Sequence, residues 1–166
     1  MRLITTLLLT TLCAVSLATT ALADEQEDRN LATVHKMVDY YMQGDFDSFM
    51  GLFADDVELV QWGSEDIIPL HGERHGKEAV MQWFGDVDAA FKADDFGLDE
   101  FFADGDTVVA LGHQAGTAPA TGQHFSEHFV TFITFNADGK ISRFRGMDDS
   151  GQEARVLGLL VPAAAH

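Results

Sequence analysis

Seven histidines are the first residues of this sequence that suggest chemistry, because imidazole titrates near neutrality and is a common metal ligand. His71 and His75 stand four apart, a spacing that chelates when both lie on one helical face, but they fall in a Gly-rich stretch where no shared face is assured. His124 and His128 are also four apart, within a run that reads as a strand, which separates them by about 13 Å at ~3.3 Å per residue. His113, on the neighbouring strand, could approach one of them. With no Cys at hand and no His-x-His pairing, no metal site is expected and no cofactor is implied. His113 or His128 could instead shuttle protons at a pocket wall. Gln61, Trp62, Trp83 and either Tyr40 or Tyr41 are best equipped to line a cavity for a flat apolar ligand, offering rings and a few hydrogen-bonding tips, though such residues also serve as plain core. No nucleophile elbow, P-loop or dinucleotide fingerprint is present, which argues against acyl transfer by Ser, nucleotide hydrolysis and hydride transfer.

The elements that must hold these residues are organised around Gln123 to Asp149, two strands joined by a reversal at Asn136-Ala137-Asp138-Gly139. Phe125, Phe129, Phe132, Phe135 and Phe144 give this hairpin a surface that helices or another chain must cover. Upstream, Leu31, Val34, Val38 and Tyr41 recur at helical spacing and predict a helix from Asp24 to Gln43. Gly44 ends it, and Asp45 can cap a second helix with Phe46, Phe49, Met50 and Phe53 on one face. Val57, Leu59 and Gln61 alternate with Glu58, Val60 and Trp62 as in a strand. Gly63 to Gly76 has no period and reads as a surface loop that could fold over a pocket mouth. Val80, Phe84, Val87 and Phe91 predict a third helix from Lys77, and strands follow over Phe96 to Phe102, Thr107 to Thr117, Gln123 to Phe135 and Lys140 to Asp148. The expected class is α+β: a curved antiparallel β-sheet wrapped around about three helices, cone-shaped, with a natural pocket at its open mouth.

The chain opens with one Arg, an apolar run from Leu3 to Leu17 and Ala21-Leu22-Ala23, which reads as a secretory signal peptide over residues 1–23 cleaved after Ala23. Six Thr from Thr5 to Thr20 weaken the competing reading as a membrane anchor, which needs about 20 consecutive apolar residues. Bulky Leu12 before Cys13 disfavours a lipoprotein signal. A secreted or periplasmic location follows, with residues 24–166 as a single domain. Cys13 is the only cysteine and would leave with the leader, so stability must come from packing rather than disulfides. A net charge of −17, spread along the chain, disfavours nucleic acid and anionic membrane surfaces as partners and favours solubility.

Tyr41-Met42-Gln43-Gly44-Asp45-Phe46, Leu52-Phe53-Ala54-Asp55-Asp56-Val57, Gly72 with Gly76-Lys77-Glu78-Ala79-Val80, and Phe135-Asn136-Ala137-Asp138-Gly139-Lys140-Ile141 together resemble the nuclear transport factor 2-like superfamily. Within it the resemblance is to the SnoaL-like branch, related to polyketide cyclases and ketosteroid isomerase, and it covers nearly all of residues 24–166. The resemblance implies a cystatin-like α+β roll. Ketosteroid isomerase works with an Asp base and an oxyanion hole of a Tyr and a protonated Asp. The matching positions here are Gln61 for the base, Met37 for the Tyr and Thr131 for the protonated Asp, so that mechanism is not expected.

Likeness to the SnoaL-like cyclases implies instead an acidic general acid/base near the end of the last strand, which falls on Asp148. If Phe144 faces the pocket, alternation turns Gly146 and Asp148 the same way, although Asp148-Asp149-Ser150-Gly151 also reads as a turn. If Thr131 faces inward as its counterpart does, Glu127 shares its face as a second candidate acid and His128 points away. Two functions remain open: cofactor-independent acid/base chemistry of isomerase, cyclase or hydratase type on a small hydrophobic ligand, or a non-catalytic ligand-binding or dimerisation module. A homodimer is expected under both, because the hairpin is apolar on both faces.

Overall fold

The computed structural model describes residues 24–160; the expected signal peptide, residues 1–23, lies outside them. Helix α1, residues 24–43, buries Val34 and Met37 and ends where Gly44 (φ 69°) turns the chain. There the Gly44 N–H donates to the Tyr41 carbonyl and the Asp45 N–H to the Tyr40 carbonyl, the paired bonds of a Schellman stop. The Asp45 carboxylate then accepts from the Ser48 N–H at 3.1 Å and caps α2 (Phe46–Gly51). The remaining elements are β1 (Phe53–Gln61), β2 (Gly72–His75), α3 (Lys77–Ala90), β3 (Lys92–Asp104), β4 (Thr107–Ala118), β5 (Gln123–Phe135), β6 (Ile141–Met147) and α4 (Ser150–Val156).

The α+β cone predicted from the sequence is present, but its sheet is mixed rather than antiparallel. The strand order is β2-β1-β6-β5-β4-β3, and β1 runs parallel to β6 while every other neighbouring pair is antiparallel. Strand direction is set by which partners pack across the cone, a tertiary property that no local period encodes. Register shifts in β1/β6, in β5/β6 and twice in β3/β4 bend the strands, so the sheet curls without closing.

Two further corrections concern the ends of elements. The stretch expected to be a loop, 63–76, contains β2 and is anchored rather than free. Ile68 and His71 are buried, Trp83 Nε1 donates to the Leu70 carbonyl at 2.6 Å, and Arg74 donates to the carbonyls of His71 and Pro69. The turn expected at Asp148-Asp149-Ser150-Gly151 leads into α4, whose N-terminus is capped by the Asp149 carboxylate accepting from Gly151 and Gln152. Gln152 fastens α4 to β5 through a two-way exchange with the Ser126 backbone (3.0 and 2.8 Å).

The concave face carries Leu59, Val108, Ile133 and Phe144 against Val34, Met37, Val80 and Trp83 of the helices. A smaller cluster of Phe91, Ala118, Phe125 and Val156 lies where α4 packs on the sheet. Among the described residues no helix is long and apolar enough to cross a membrane.

Candidate functional site

Between the helices and the concave sheet lies a cavity of about 510 Å³. Its walls are mostly rings and aliphatic chains, with Met37 and Tyr41 from α1, Trp83 and Phe84 from α3, Phe129 from β5 and Phe144 from β6. The polar groups facing it are few: Gln61, Gln114, Thr131, Asp148 and Glu153 from the sheet and α4, and exposed Asp88, Lys92, Asp94 and Asp95 at the rim. An apolar volume with a few convergent polar groups is the common form of a small-molecule site.

Each inner polar group is positioned by its element. Gln61 ends β1 on the inward side of the alternation, beside Gly146 of β6, and a Cβ at 146 would fall on Gln61 Oε1, so glycine there makes room for the amide. Asp148 follows β6 directly, on the side of Phe144 and Gly146. Glu153 is delivered by α4, and His71 comes from the anchored loop with its ring lying against Gly63.

These last three residues meet. His71 Nε2 is 2.7 Å from Glu153 Oε2 and 4.0 Å from Asp148 Oδ1, with His71 1 % exposed and Glu153 4 %. Burial pushes the Glu153 carboxyl up to about 9, and the neighbouring Asp148 and Glu127 carboxyls add to the shift. Burial also raises Asp148, opposed by His71, and lowers His71, opposed by Asp148. Near neutrality these shifts favour protonated Glu153 and neutral His71, with a proton shared across the Oε2–Nε2 contact. Glu127, buried behind Gln114, is raised to about 7 by burial, against the lowering effect of the 2.7 Å bond from Gln114 Nε2. Asp148 Oδ1 and Glu127 Oε2 are buried and have no hydrogen-bond partner within the protein.

The trio His71, Asp148 and Glu153 also offers one ligand atom each within 4.8 Å, a donor set and span that a metal ion could use. The 2.7 Å contact is the length of a hydrogen bond, which makes a proton-sharing cluster the more direct description.

Of the residues expected to form the site, Gln61, Tyr41, Trp83, Thr131, Phe144 and Asp148 line the cavity, and Glu127 sits just outside its wall. Tyr41 gives its hydroxyl proton to Asp88 at 2.5 Å, and burial pushes its own pKa up. Trp62 belongs elsewhere: it is 36 % exposed on the convex face, its ring 5.5 Å from that of Phe132. His113 is on that same outer face with Asp99, and His75 and His128 are exposed. His71 and Glu153 are the members that the sequence did not single out together. The spacing of Asp149 and Gln152, cap and third helical residue, was the available signal for the helix that brings Glu153 in.

Comparison with known proteins agrees with this architecture. A family model described as a SnoaL-like domain matches residues 34–144. Similar solved structures include an NTF2-like protein from Burkholderia xenovorans, with a TM-score of 0.68 at 22 % identity over 79 % of this chain and 97 % of that one. TerC, co-crystallised with polyporic acid, gives 0.69 at 20 % identity over 78 % and 98 %. A Mycobacterium tuberculosis protein in complex with estradiol-17β-hemisuccinate gives 0.60 at 22 % over 71 % and 92 %. At these identities the likeness establishes the fold. A search of curated sequences finds no match.

Proposed function

The chain belongs to the SnoaL-like domain family, and from that premise we propose that it is an exported protein that takes up a small hydrophobic molecule in its cavity and moves a proton on it, with Asp148 as the general acid/base. The observation that carries this reading is the Asp148 carboxyl: it faces an apolar cavity, has a buried oxygen without a partner, and is backed by the hydrogen-bonded His71–Glu153 pair. Burial raises its pKa above the ordinary carboxylate value, against the lowering effect of His71, which is the direction that helps a carboxyl both take and return a proton. In such a step Asp148 removes a proton from carbon next to a carbonyl and returns it, or another, at a second position. His71 and Glu153 hold a proton close behind it, and Gln61 and Thr131 are placed to hydrogen-bond the ligand. Isomerisation, cyclisation and hydration all fit this cofactor-independent pattern. That two solved relatives hold polyporic acid and an estradiol ester supports a hydrophobic ligand, and the leader-like residues 1–23 support export.

The test is deuterium exchange by NMR on α-deuterated cyclic ketones. The protein is expected to wash the label out, and Asp148→Asn to slow the exchange by about 10²–10⁴-fold while leaving the melting curve unchanged. Exchange at an equal rate in the variant removes Asp148 from the chemistry.

A second reading, a dimerisation module, is favoured by one feature. Leu111, Val130 and Met147 are aligned across β4, β5 and β6 on the convex face, with the Trp62–Phe132 pair beside them. A homodimer through this face predicts a solution mass of two chains by light scattering, reduced to one chain by Leu111→Glu. A monomer at micromolar concentration would remove this reading.

A further inference from the structure

Building on the ligand-binding reading above, we infer that the cavity selects a hydrophobic amine, its rings among the aromatic walls and its ammonium group on Asp148. The inference starts from charge. Among the described residues lining the cavity, the ionisable groups are acidic apart from Tyr41 and Lys92, and Lys92 is exposed at the rim beside Asp94 and Asp95. No lining side chain at the buried end is a cation that could meet a ligand carboxylate, sulfate or phosphate.

The cations nearest in sequence to Asp148 are turned away by strand alternation. Arg143 pairs with Glu58 at 2.6 Å, and Arg145 lies over the Phe132 ring on the convex face, 5.4 Å from its centroid. His71 Nε2 is committed to Glu153 at 2.7 Å and stands 4.0 Å from Asp148 Oδ1, too far to satisfy that oxygen. Asp148, which lines the cavity, is therefore left with a buried oxygen, Oδ1, that has no partner within the protein and wants an N–H donor.

An ammonium group supplies such donors together with the missing positive charge, and a charge-assisted bond to a carboxylate is roughly twice as strong as a neutral one. The ring faces that line the approach also favour a cation. A ligand carboxylate meets the opposite conditions, like charge at the buried end and again at the rim, which is how a site rejects one class while accepting another. The overall charge of −17 adds attraction for cations at long range.

Three probes of one shape test this by calorimetry at neutral pH: 2-naphthylmethylamine, 2-naphthalenemethanol and 2-naphthoic acid. The amine is expected to bind at least about tenfold more tightly than the alcohol, with the acid weakest. The preference should persist in about 0.5 M salt, because a buried pair is screened far less than the exposed rim. Asp148→Asn should bring the amine down to the affinity of the alcohol, with an unchanged melting curve showing that the variant remains folded. Equal binding of all three probes, or a preference lost in salt, overturns the amine assignment and leaves the cavity as a ligand site. If none of the three binds, the ligand-binding reading fails and this inference with it.

Discussion

Glu153→Gln is expected to melt above the unaltered protein at alkaline pH, the reverse of the usual cost of changing a buried hydrogen-bonded side chain. The sign follows from proton counting. Glu153 ionises near 4.5 in the unfolded chain and near about 9 in the folded one. Between those values the folded state holds a proton that the unfolded state has released, so stability falls as pH rises through the window and is lowest above it. Glu127 acts the same way between 4.5 and about 7. His71 acts in the opposite sense, since its folded pKa lies below 6.5 and stability gained from it rises with pH up to that value. Asp148, also raised by burial, acts in the same sense as the two Glu carboxyls, the imidazole partly offsets them on the acid side, and from pH 7 to 9 Glu153 contributes on the order of 1 kcal/mol per pH unit.

Gln at 153 does not titrate and can still donate an N–H to His71 Nε2. The variant should match the parent near pH 6 and exceed it by about 3–4 kcal/mol near pH 9, a difference of several degrees in the melting midpoint. Urea or thermal melts at the two pH values make the measurement. Parallel stability curves for the two proteins would mean that Glu153 ionises in its ordinary range and that the buried cluster stores no proton.

What the sequence conveyed and what it hid follow one physical division. Patterns that recur along a single element were legible. Leu31 to Tyr41 and Val80 to Phe91 mark helices, and Val57, Leu59 and Gln61 mark the inward side of β1. Alternation in β5 correctly separates buried Glu127 and Thr131 from exposed His128. The same rule places Trp62 opposite to Gln61, so its position on the convex face was available from parity and was masked by its aromatic character. Contacts that join distant elements were not legible. The parallel match of β1 to β6, the short β2 with no apolar alternation, and the burial of His71 under Gly63 depend on packing between segments. The cap and first residues of α4, Asp149, Ser150 and Gly151, suit a turn as well as a helix start, and only the core beneath Ala154 and Val156 decides between them.

Gly63→Ala is expected to be strongly destabilising, because two independent costs coincide there. Gly63 has φ 143°, a conformation that side chains with a Cβ rarely adopt. The added methyl would also fall on Nδ1 and Cε1 of the His71 ring. That ring has nowhere to go: its Nε2 is bonded to Glu153, its backbone N–H donates to the Ile68 carbonyl at 2.9 Å, and its carbonyl accepts from Arg74 at 3.0 Å. Backbone strain of about 1–3 kcal/mol together with a comparable overpacking cost predicts a fall in the melting midpoint on the order of 10 °C. Gly85→Ala is the contrast, since nothing lies within 4 Å of a Cβ there and the residue is inside α3, so a gain of about 0.5–1 kcal/mol is expected. The double variant Gly63→Ala/His71→Ala separates the two costs, because removing the ring relieves the clash and leaves the strained backbone. If Gly63→Ala melts with the parent, the imidazole does not rest on Gly63, and the orientation that points Nε2 at Glu153 and Asp148 loses its support.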